Sequence, residues 1–289
     1  MTGRDFLGAM VVQILWGVNF VVVKVGVSEI PPLFLISLRF VLVAILSAAF
    51  FRPPREKLPT ILLLSFLLGT GHFGMIFVGL SQVDAAAAAI VVQLGVPFST
   101  LLAAIFFGER LGGPAAMGMG LAFAGVVLLA GEPHLDHPGG LLFIAVAMMA
   151  WALSNVVIKR MGRISPLALN AWIAVFAAPQ VFLLSLLLEH DQLRALEAAS
   201  WRGFGAIVFT AVAATLIAYT LWCSLVARYP MNLVVPFTLL SPVIGVASGI
   251  LVLGEPATWQ KLAGGLLTIG GVAMVQWLRP REPTTGAGS

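Results

Sequence analysis

The fold is decided by the stretch AIVVQLGVPFSTLLAAIFFGERL (residues 89–111), together with MGMGLAFAGVVLLAG, which follows it at 117–131. Residues 243–275 repeat its pattern of an apolar run, a Gly-Glu turn and a glycine-rich run. In both copies glycines follow the turn glutamate after nine and sixteen residues. The first copy has Glu109, Gly118 and Gly125, and the second has Glu255, Gly264 and Gly271. Two matched stretches half a chain apart indicate an internal repeat.

The composition indicates a membrane protein. Hydrophobic residues make up 60% of the chain and charged residues 10%, and the mean hydropathy is +1.04. These values exclude an ordinary soluble domain. Apolar runs of about 18 residues or more recur, which is enough to cross a hydrocarbon core of roughly 30 Å. The first run (6–25) is too long for a signal-peptide core and has no small-residue cleavage site, so we expect a retained span.

We predict ten spans, and we expect helices because lipid offers the backbone no hydrogen-bond partners. They cover residues 5–26, 32–51, 58–80, 84–107, 114–131, 138–158, 166–188, 202–225, 230–252 and 259–278. Segment 189–200 is predicted to be a solvated linker. It has the alternative of a short interfacial helix, since Leu193 and Leu196 would share a face.

The distribution of Lys and Arg predicts the orientation. With the N-terminus in the cytoplasm, the inside segments hold eleven of these residues and the outside segments four. This excess places both termini in the cytoplasm, in the inner (cytoplasmic) membrane. Because each half has five helices, an odd number, the second half has the opposite orientation in the membrane. The turns at Glu109 and Glu255 then lie on opposite sides. Such inverted repeats are typical of secondary transporters that work by alternating access.

The first helix of each half carries a second repeated motif. Trp16 and Lys24 are eight residues apart, as are Trp151 and Lys159. Together with Leu38-Arg39-Phe40 and the Gly-Glu turns, these motifs make residues 5–278 resemble the EamA-like branch of the drug/metabolite transporter superfamily. The resemblance implies an all-α membrane protein with ten transmembrane helices as a 5+5 inverted-topology repeat around a central cavity. Within the branch, the chain is most similar to amino-acid exporters of the YddG type.

We expect three parts: a first EamA-like five-helix repeat at 1–131, an inverted second repeat at 132–280 and a disordered tail at 281–289. Glycines in the fifth and tenth spans predict close helix packing or a dimer face. We therefore expect a monomer, with a homodimer through these helices as the alternative. The expected partners are a small-molecule substrate and the lipid bilayer, without nucleic acid, cofactor or metal.

Polar and aromatic residues at depth in the spans are the candidate substrate-binding residues. They are Trp16, Asn19, Arg39, His72, Gln93, Pro97, Trp151, Ser154, Asn155, Tyr219, Trp222 and Ser241. Arg39 lies seven residues into the second span, where a charge is costly and faces the bundle interior. It either meets a substrate carboxylate or locks the structure by bonding helix-end carbonyls or Asp84. The second half has Ile173 in its place.

For the other candidates two readings also stay open. His72 is either a proton carrier and carboxylate donor or a satisfied core histidine. The amides and hydroxyls line a cavity or form interhelical hydrogen bonds. Prolines within the spans predict hinges, with plain kinks as the alternative, at Pro97, Pro236 and Pro242. Lys24 and Lys159 are predicted to be snorkelling anchors, and the turn glutamates are predicted to cap or pack against neighbouring loops.

The function that this sequence favours is export of small, largely apolar metabolites, namely aromatic or aliphatic amino acids. Carriers of phosphorylated or nucleotide-linked sugars are less expected, because only Arg39 is a cation at depth. A proton-coupled drug exporter needs a carboxylate within a span, but all twelve acids lie at ends, turns or tails. An intramembrane serine hydrolase using His72 is disfavoured, because the glycine-flanked serine motif and a partner acid are missing. We expect a transporter, not an enzyme.

Overall fold

The computed structural model describes residues 2–51, 55–108, 112–130, 138–161, 164–228, 237–238 and 240–277. Within these residues every regular element is a helix. The long helices are α1 (Gly3–Glu29), α2 (Pro32–Phe50), α3 (Arg55–Gln82), α4 (Ala85–Phe107), α5 (Gly113–Ala130), α6 (Gly139–Met161), α7 (Pro166–Leu188), α8 (201–228), α9 (Leu240–Leu253) and α10 (Trp259–Trp277).

Length and hydropathy identify the membrane-crossing helices. Seven of the described helices (α1 to α4 and α6 to α8) are long and apolar enough to cross a bilayer, and α5 and α9 are shorter apolar helices. Large aliphatic side chains lie on the outer surface, where Leu187, Leu251 and Leu266 are each at least 75% exposed. Such a surface suits lipid rather than water. The protein is an all-helical, multi-pass membrane protein.

Helix packing recurs between the two halves of the chain. Helix α2 packs against α7, and α5 packs against α10. Helix α3 contacts α6 and α7 just as α8 contacts α1 and α2, and α4 contacts α6 just as α9 contacts α1. If each helix is replaced by the one five positions earlier or later in the chain, each of these contacts becomes another contact of the same set. The pattern is consistent with a duplicated five-helix unit.

Glycines bring α5 and α10 into backbone contact. A Cβ added to Gly118 would lie 2.6 Å from the carbonyl oxygen of Gly271, and one added to Gly125 would lie 2.6 Å from that of Gly264. Small residues permit this approach in membrane helices. The predicted close packing is confirmed for these four positions, whereas Gly120 has nothing within 4 Å of its Cβ position.

Three helices depart from regular α-helix in mid-span. Helix α3 is π-helical over Ser65–Gly74, and its counterpart α8 is π-helical over Phe209–Ile217. Helix α4 is 3₁₀-helical over Val92–Leu94. Because Pro97 has no N–H to donate to the carbonyl of Gln93, the helix is weakened at this point. Such interruptions often mark functional sites or hinges.

One sequence prediction needs correction. The segment between α7 and α8 contains an α-helix, Gln192–Ala198, rather than only a solvated linker. It is held because the amide of Gln192 donates to the carbonyls of Ser185 and Glu189, and because Leu196 packs against the core. Of the predicted ninth span (230–252), residues 230–236 and 239 lie outside the described residues, and an α-helix runs over Leu240–Leu253.

Candidate functional site

Arg39 is buried between α2, α3 and α8. Its Nη2 donates to the hydroxyl of Thr215 over 2.7 Å, and its guanidinium carbon lies 4.2 Å from the ring centroid of Phe73. Among the described residues no carboxylate forms a salt bridge with it, and its Nε has no hydrogen-bond partner. The predicted alternative of a lock on Asp84 is wrong, because Asp84 pairs with Lys261 at 2.5 Å.

Trp16 on α1 contacts the same part of α8 as Arg39 does. Its indole Nε1 donates to the carbonyl of Ala214 over 3.1 Å, and its ring centroid lies 5.5 Å from that of Trp222. Ala214 and Thr215 are neighbours in the π-helical segment of α8. The structure therefore brings three predicted site residues to one region: Trp16, Trp222 and Arg39.

Asn19 lies about one helical turn from Trp16 on α1. Its side-chain oxygen is buried and has no hydrogen-bond partner in the described part of the chain. In the second half, the hydroxyl of Ser154 donates to the carbonyl of Trp151 in its own helix over 2.6 Å. The two polar positions of the repeat thus differ: Ser154 is hydrogen-bonded within its own helix, whereas the oxygen of Asn19 has no partner among the described residues.

His72 is a buried residue of the π-helical segment of α3. Its Nδ1 lies 3.1 Å from the carbonyl oxygen of Ala147 on α6, and its ring centroid lies 4.6 Å from that of Phe73. A carbonyl accepts a hydrogen bond, so this contact places the proton of the neutral ring on Nδ1. The geometry matches a satisfied core histidine rather than a carboxylate partner.

The 3₁₀-helical segment of α4, Val92–Leu94, lies against α6. A Cβ added to Gly95 would come within 3.1 Å of the Trp151 ring, which places this ring beside the segment that carries Gln93 and Pro97. The remaining candidates are dispersed. Asn155 and Tyr219 are half-buried, Ser241 and Pro242 are buried at the start of α9, and Pro236 lies outside the described residues.

Charged groups close the end of the bundle that holds the C-terminus of α1. The carboxylate of Glu255 accepts from the backbone N–H of Ala85 and Ala86, at 2.7 and 2.9 Å, which confirms its predicted capping role. Burial raises the pKa of this carboxyl above its usual range, while the two N–H groups oppose that effect. The prediction for Lys24 is wrong: its Nζ bonds the carbonyls of Leu80 and Val83 at the end of α3.

Two more glutamates cap helices to which they do not belong. Glu189, at the end of α7, accepts from the N–H groups of Leu33 and Phe34 in α2. Glu29, at the end of α1, accepts from those of Ser200 and Gly203 at the start of α8. Carboxylates at helix N-termini satisfy free N–H groups and favour the helix dipole. These caps hold one end of the bundle together.

At the opposite end of α1 there is a cavity of about 390 Å³ between the start of α1 and the end of α8. Its polar lining comes from Thr2, Arg4, Asp5 and Ser224. Leu221 and Leu225 form part of its apolar wall, directly beside Trp222 in the sequence of α8. The cavity thus lies between the N-terminal end of α1 and the C-terminal end of α8.

Comparison with known families assigns this architecture. Residues 5–131 and 138–277 each match the model of the EamA-like transporter family. The chain belongs to the EamA-like transporter family. This confirms the resemblance drawn from the repeated motifs and places the chain among transporters rather than enzymes. The duplicated match also agrees with the recurring helix contacts.

Similar proteins cover nearly the whole chain. A probable amino-acid metabolite efflux pump of Salmonella typhimurium is 35% identical over 94% of both chains, and one of Escherichia coli K12 is 33% identical over the same shares. An inner membrane transporter of Escherichia coli, YedA, is 27% identical over 93% of this chain and 90% of its own. A crystal structure with 19% identity superposes with a TM-score of 0.65 over 96% of this chain and 98% of its own, which supports the fold.

Proposed function

We propose that this EamA-like transporter carries small, largely apolar zwitterions, namely aromatic or aliphatic amino acids, out of the cell across the inner membrane. Two relatives at 33–35% identity bear the name of probable amino-acid metabolite efflux pumps, which supports this cargo class. The excess of Lys and Arg on one side of the predicted spans supports cytoplasmic termini.

The observation that carries the proposal is that Arg39 forms no ion pair with any described residue. A guanidinium inside a membrane protein is costly, about 2.5–3.5 kcal/mol at the centre of a helix on insertion scales. Here it contacts a neutral hydroxyl and an aromatic ring, and no carboxylate of the described residues pairs with it. A cargo carboxylate would supply the missing anion and a strong charge-assisted hydrogen bond.

Nearby groups suit the rest of an amino acid. The oxygen of Asn19, which has no partner among the described residues, is an acceptor for an ammonium group. Asn19 lies one turn from Trp16, whose indole donates to the carbonyl of Ala214, the residue next to Thr215. The rings of Phe73 and Trp16 offer apolar surface to a hydrophobic side chain. A zwitterion with an apolar side chain therefore matches the available chemistry.

The same residues argue against a phosphorylated cargo. A phosphate dianion is best held by several cations. Of the cations that are nearly inaccessible in the described chain, Lys261 is already paired with Asp84, and only Arg39 remains uncompensated. One guanidinium fits one carboxylate.

The transport cycle we propose uses two five-helix repeats, residues 1–131 and 132–280, in inverted topology. The 390 Å³ cavity at the start of α1 would then be the cytoplasmic mouth, and the glutamate caps would close the outer side. The breaks beside Pro97 and in the π-helical segments of α3 and α8 provide places where helices can bend. Opening the outer side requires these caps to separate.

The direct test is uptake of labelled phenylalanine or leucine by the purified protein in proteoliposomes preloaded with the same unlabelled amino acid. We expect labelled cargo to accumulate by exchange, with empty liposomes as the control. Competition by an excess of a nucleotide-linked sugar should leave uptake unchanged. The proposal fails if no amino acid is exchanged, and exchange that the nucleotide sugar blocks would favour the other cargo class.

A further inference from the structure

Gln13 of α1 is a buried amide that forms no hydrogen bond within the described residues. Its side chain is 0% exposed, and neither Oε1 nor Nε2 has a partner in the described part of the chain. It lies three residues before Trp16 in the sequence. An amide offers two acceptor and two donor positions, and none of them is used by a described residue.

An unpaired amide of this kind weakens the folded state. Buried polar groups in proteins are nearly always hydrogen-bonded, and a donor or acceptor left unpaired bears its full desolvation cost. The membrane interior supplies no bulk water to offset that cost. Such a group persists where another state or a bound molecule satisfies it.

The internal repeat shows that the fold does not need an amide at this position. Trp16 and Lys24 correspond to Trp151 and Lys159, which lie 135 residues later in both cases. The same offset matches Gln13 with Met148. Met148 is 4% exposed and belongs to the main apolar core. An unbranched apolar side chain of similar length therefore packs well at the equivalent position of the counterpart helix α6.

Gln13 lies on α1 between a residue that lines the cavity and the proposed cargo site. Residues four apart share a helix face, so Gln13 lies on the face of Gly17. A Cβ on Gly17 would lie 2.6 Å from Ile244 and 2.9 Å from the carbonyl oxygen of Ser241, which places this face tightly against α9. Along α1, Gln13 lies between Gly8, which lines the cavity, and Trp16.

We propose that Gln13 binds the polar head of the cargo as it moves from the cavity to the region of Trp16 and Arg39. Its amide oxygen accepts from the ammonium group, and its amide nitrogen donates to the carboxylate. This step requires α1 and α9 to separate at Gly17. The inference rests on the proposed function, because it assumes a zwitterionic cargo.

The test is Gln13→Met, which copies the side chain of the counterpart. Removing an unsatisfied amide while keeping its shape should stabilise the protein, so we expect Tm in detergent to rise by about 2 °C or more. Amino-acid exchange in proteoliposomes should fall about tenfold or more, as expected for losing hydrogen bonds to charged groups.

Gln180→Met is the matched control. The amide of Gln180 donates to the hydroxyl of Ser65 over 2.7 Å and accepts from that of Thr70. Its replacement should therefore lower Tm. A rise in Tm for Gln13→Met and a fall in Tm for Gln180→Met would distinguish the loss of an unsatisfied amide from the loss of a satisfied one.

Two results overturn the inference. An unchanged or lower Tm for Gln13→Met would mean that the amide is satisfied in the folded protein, and unchanged exchange would mean that it does not meet the cargo. Wild-type protein that exchanges no amino acid would remove the proposed function instead. In that case the Tm values of the two variants, measured without cargo, still show whether the amide of Gln13 destabilises the folded protein.

Discussion

The guanidinium of Arg39 donates to the hydroxyl of Thr215 over 2.7 Å, and this hydroxyl donates in turn to the carbonyl of Thr210, five residues earlier. The π-helical geometry of α8 thus positions the acceptor that orients Arg39. Both hydrogen-bond partners are neutral, and no carboxylate of the described residues pairs with Arg39, so the cation is held in place without being neutralised. This relationship makes Arg39 the centre of the functional proposal.

Trp16 should contribute to stability through its bond to α8. Trp16→Phe removes the donor to the carbonyl of Ala214 and part of the contact with Trp222. We expect a loss of about 1–3 kcal/mol in unfolding free energy, seen as a lower Tm in detergent. Trp201→Phe is the control because Trp201 is 79% exposed. Equal Tm values for the two variants would contradict the contact.

Glu255 should stabilise the capped end of the bundle. Glu255→Ala leaves the N–H groups of Ala85 and Ala86 without their acceptor, so we expect a loss of about 1–3 kcal/mol. Glu197→Ala, at an exposed position of the short helix Gln192–Ala198, should change Tm little. Equal Tm values for Glu255→Ala and Glu197→Ala would contradict the capping role of Glu255.

The α5–α10 interface gives a prediction with an internal control. Gly118→Ala places a Cβ 2.6 Å from the carbonyl oxygen of Gly271, so the helices must separate and Tm should fall by several degrees. Gly120→Ala, on the same helix, meets nothing within 4 Å and should be neutral or slightly stabilising. A loss of stability in both variants would indicate an effect other than helix packing.

The inverted topology can be tested by cysteine labelling in intact cells. In a chain with Cys223→Ser, single cysteines are introduced by Gly113→Cys and Ala257→Cys, both at exposed positions. A membrane-impermeant maleimide should label position 257 from outside and position 113 only after permeabilisation. Labelling of both positions from the same side would contradict two inverted halves.

The sequence revealed those features that depend on composition or regular spacing. Long apolar runs, the glycines around Gly118 and Gly271, and the paired Trp16 and Trp151 are local and periodic, so they can be recognised without coordinates. The caps made by Glu29 and Glu189 could not be predicted, because they join residues that are more than 150 positions apart. The contacts of Lys24 could not be predicted either, because the carbonyls that it binds, of Leu80 and Val83, are 56 and 59 positions away at the end of another helix.

The site was predictable only in part. Arg39 and Trp16 stand out as charged or aromatic residues within apolar runs, but Thr215 does not, because a single threonine in a span has many roles. The π-helical segments leave no clear signature in composition. Gln13 had a signal that was missed: aligning the two Trp–Lys motifs pairs it with Met148, which shows a polar residue where the repeat has an apolar one.

The central claim, that Arg39 takes the carboxylate of an amino acid, is tested most directly by competition for exchange of labelled phenylalanine in proteoliposomes. The competitors are phenylalanine and 2-phenylethylamine, which lacks the carboxylate, and the variant is Arg39→Ile, which copies the counterpart Ile173. We predict that the wild type prefers phenylalanine about tenfold or more and that Arg39→Ile loses exchange by a similar factor. Equal competition by the amine in the wild type, or full exchange by Arg39→Ile, would contradict the account.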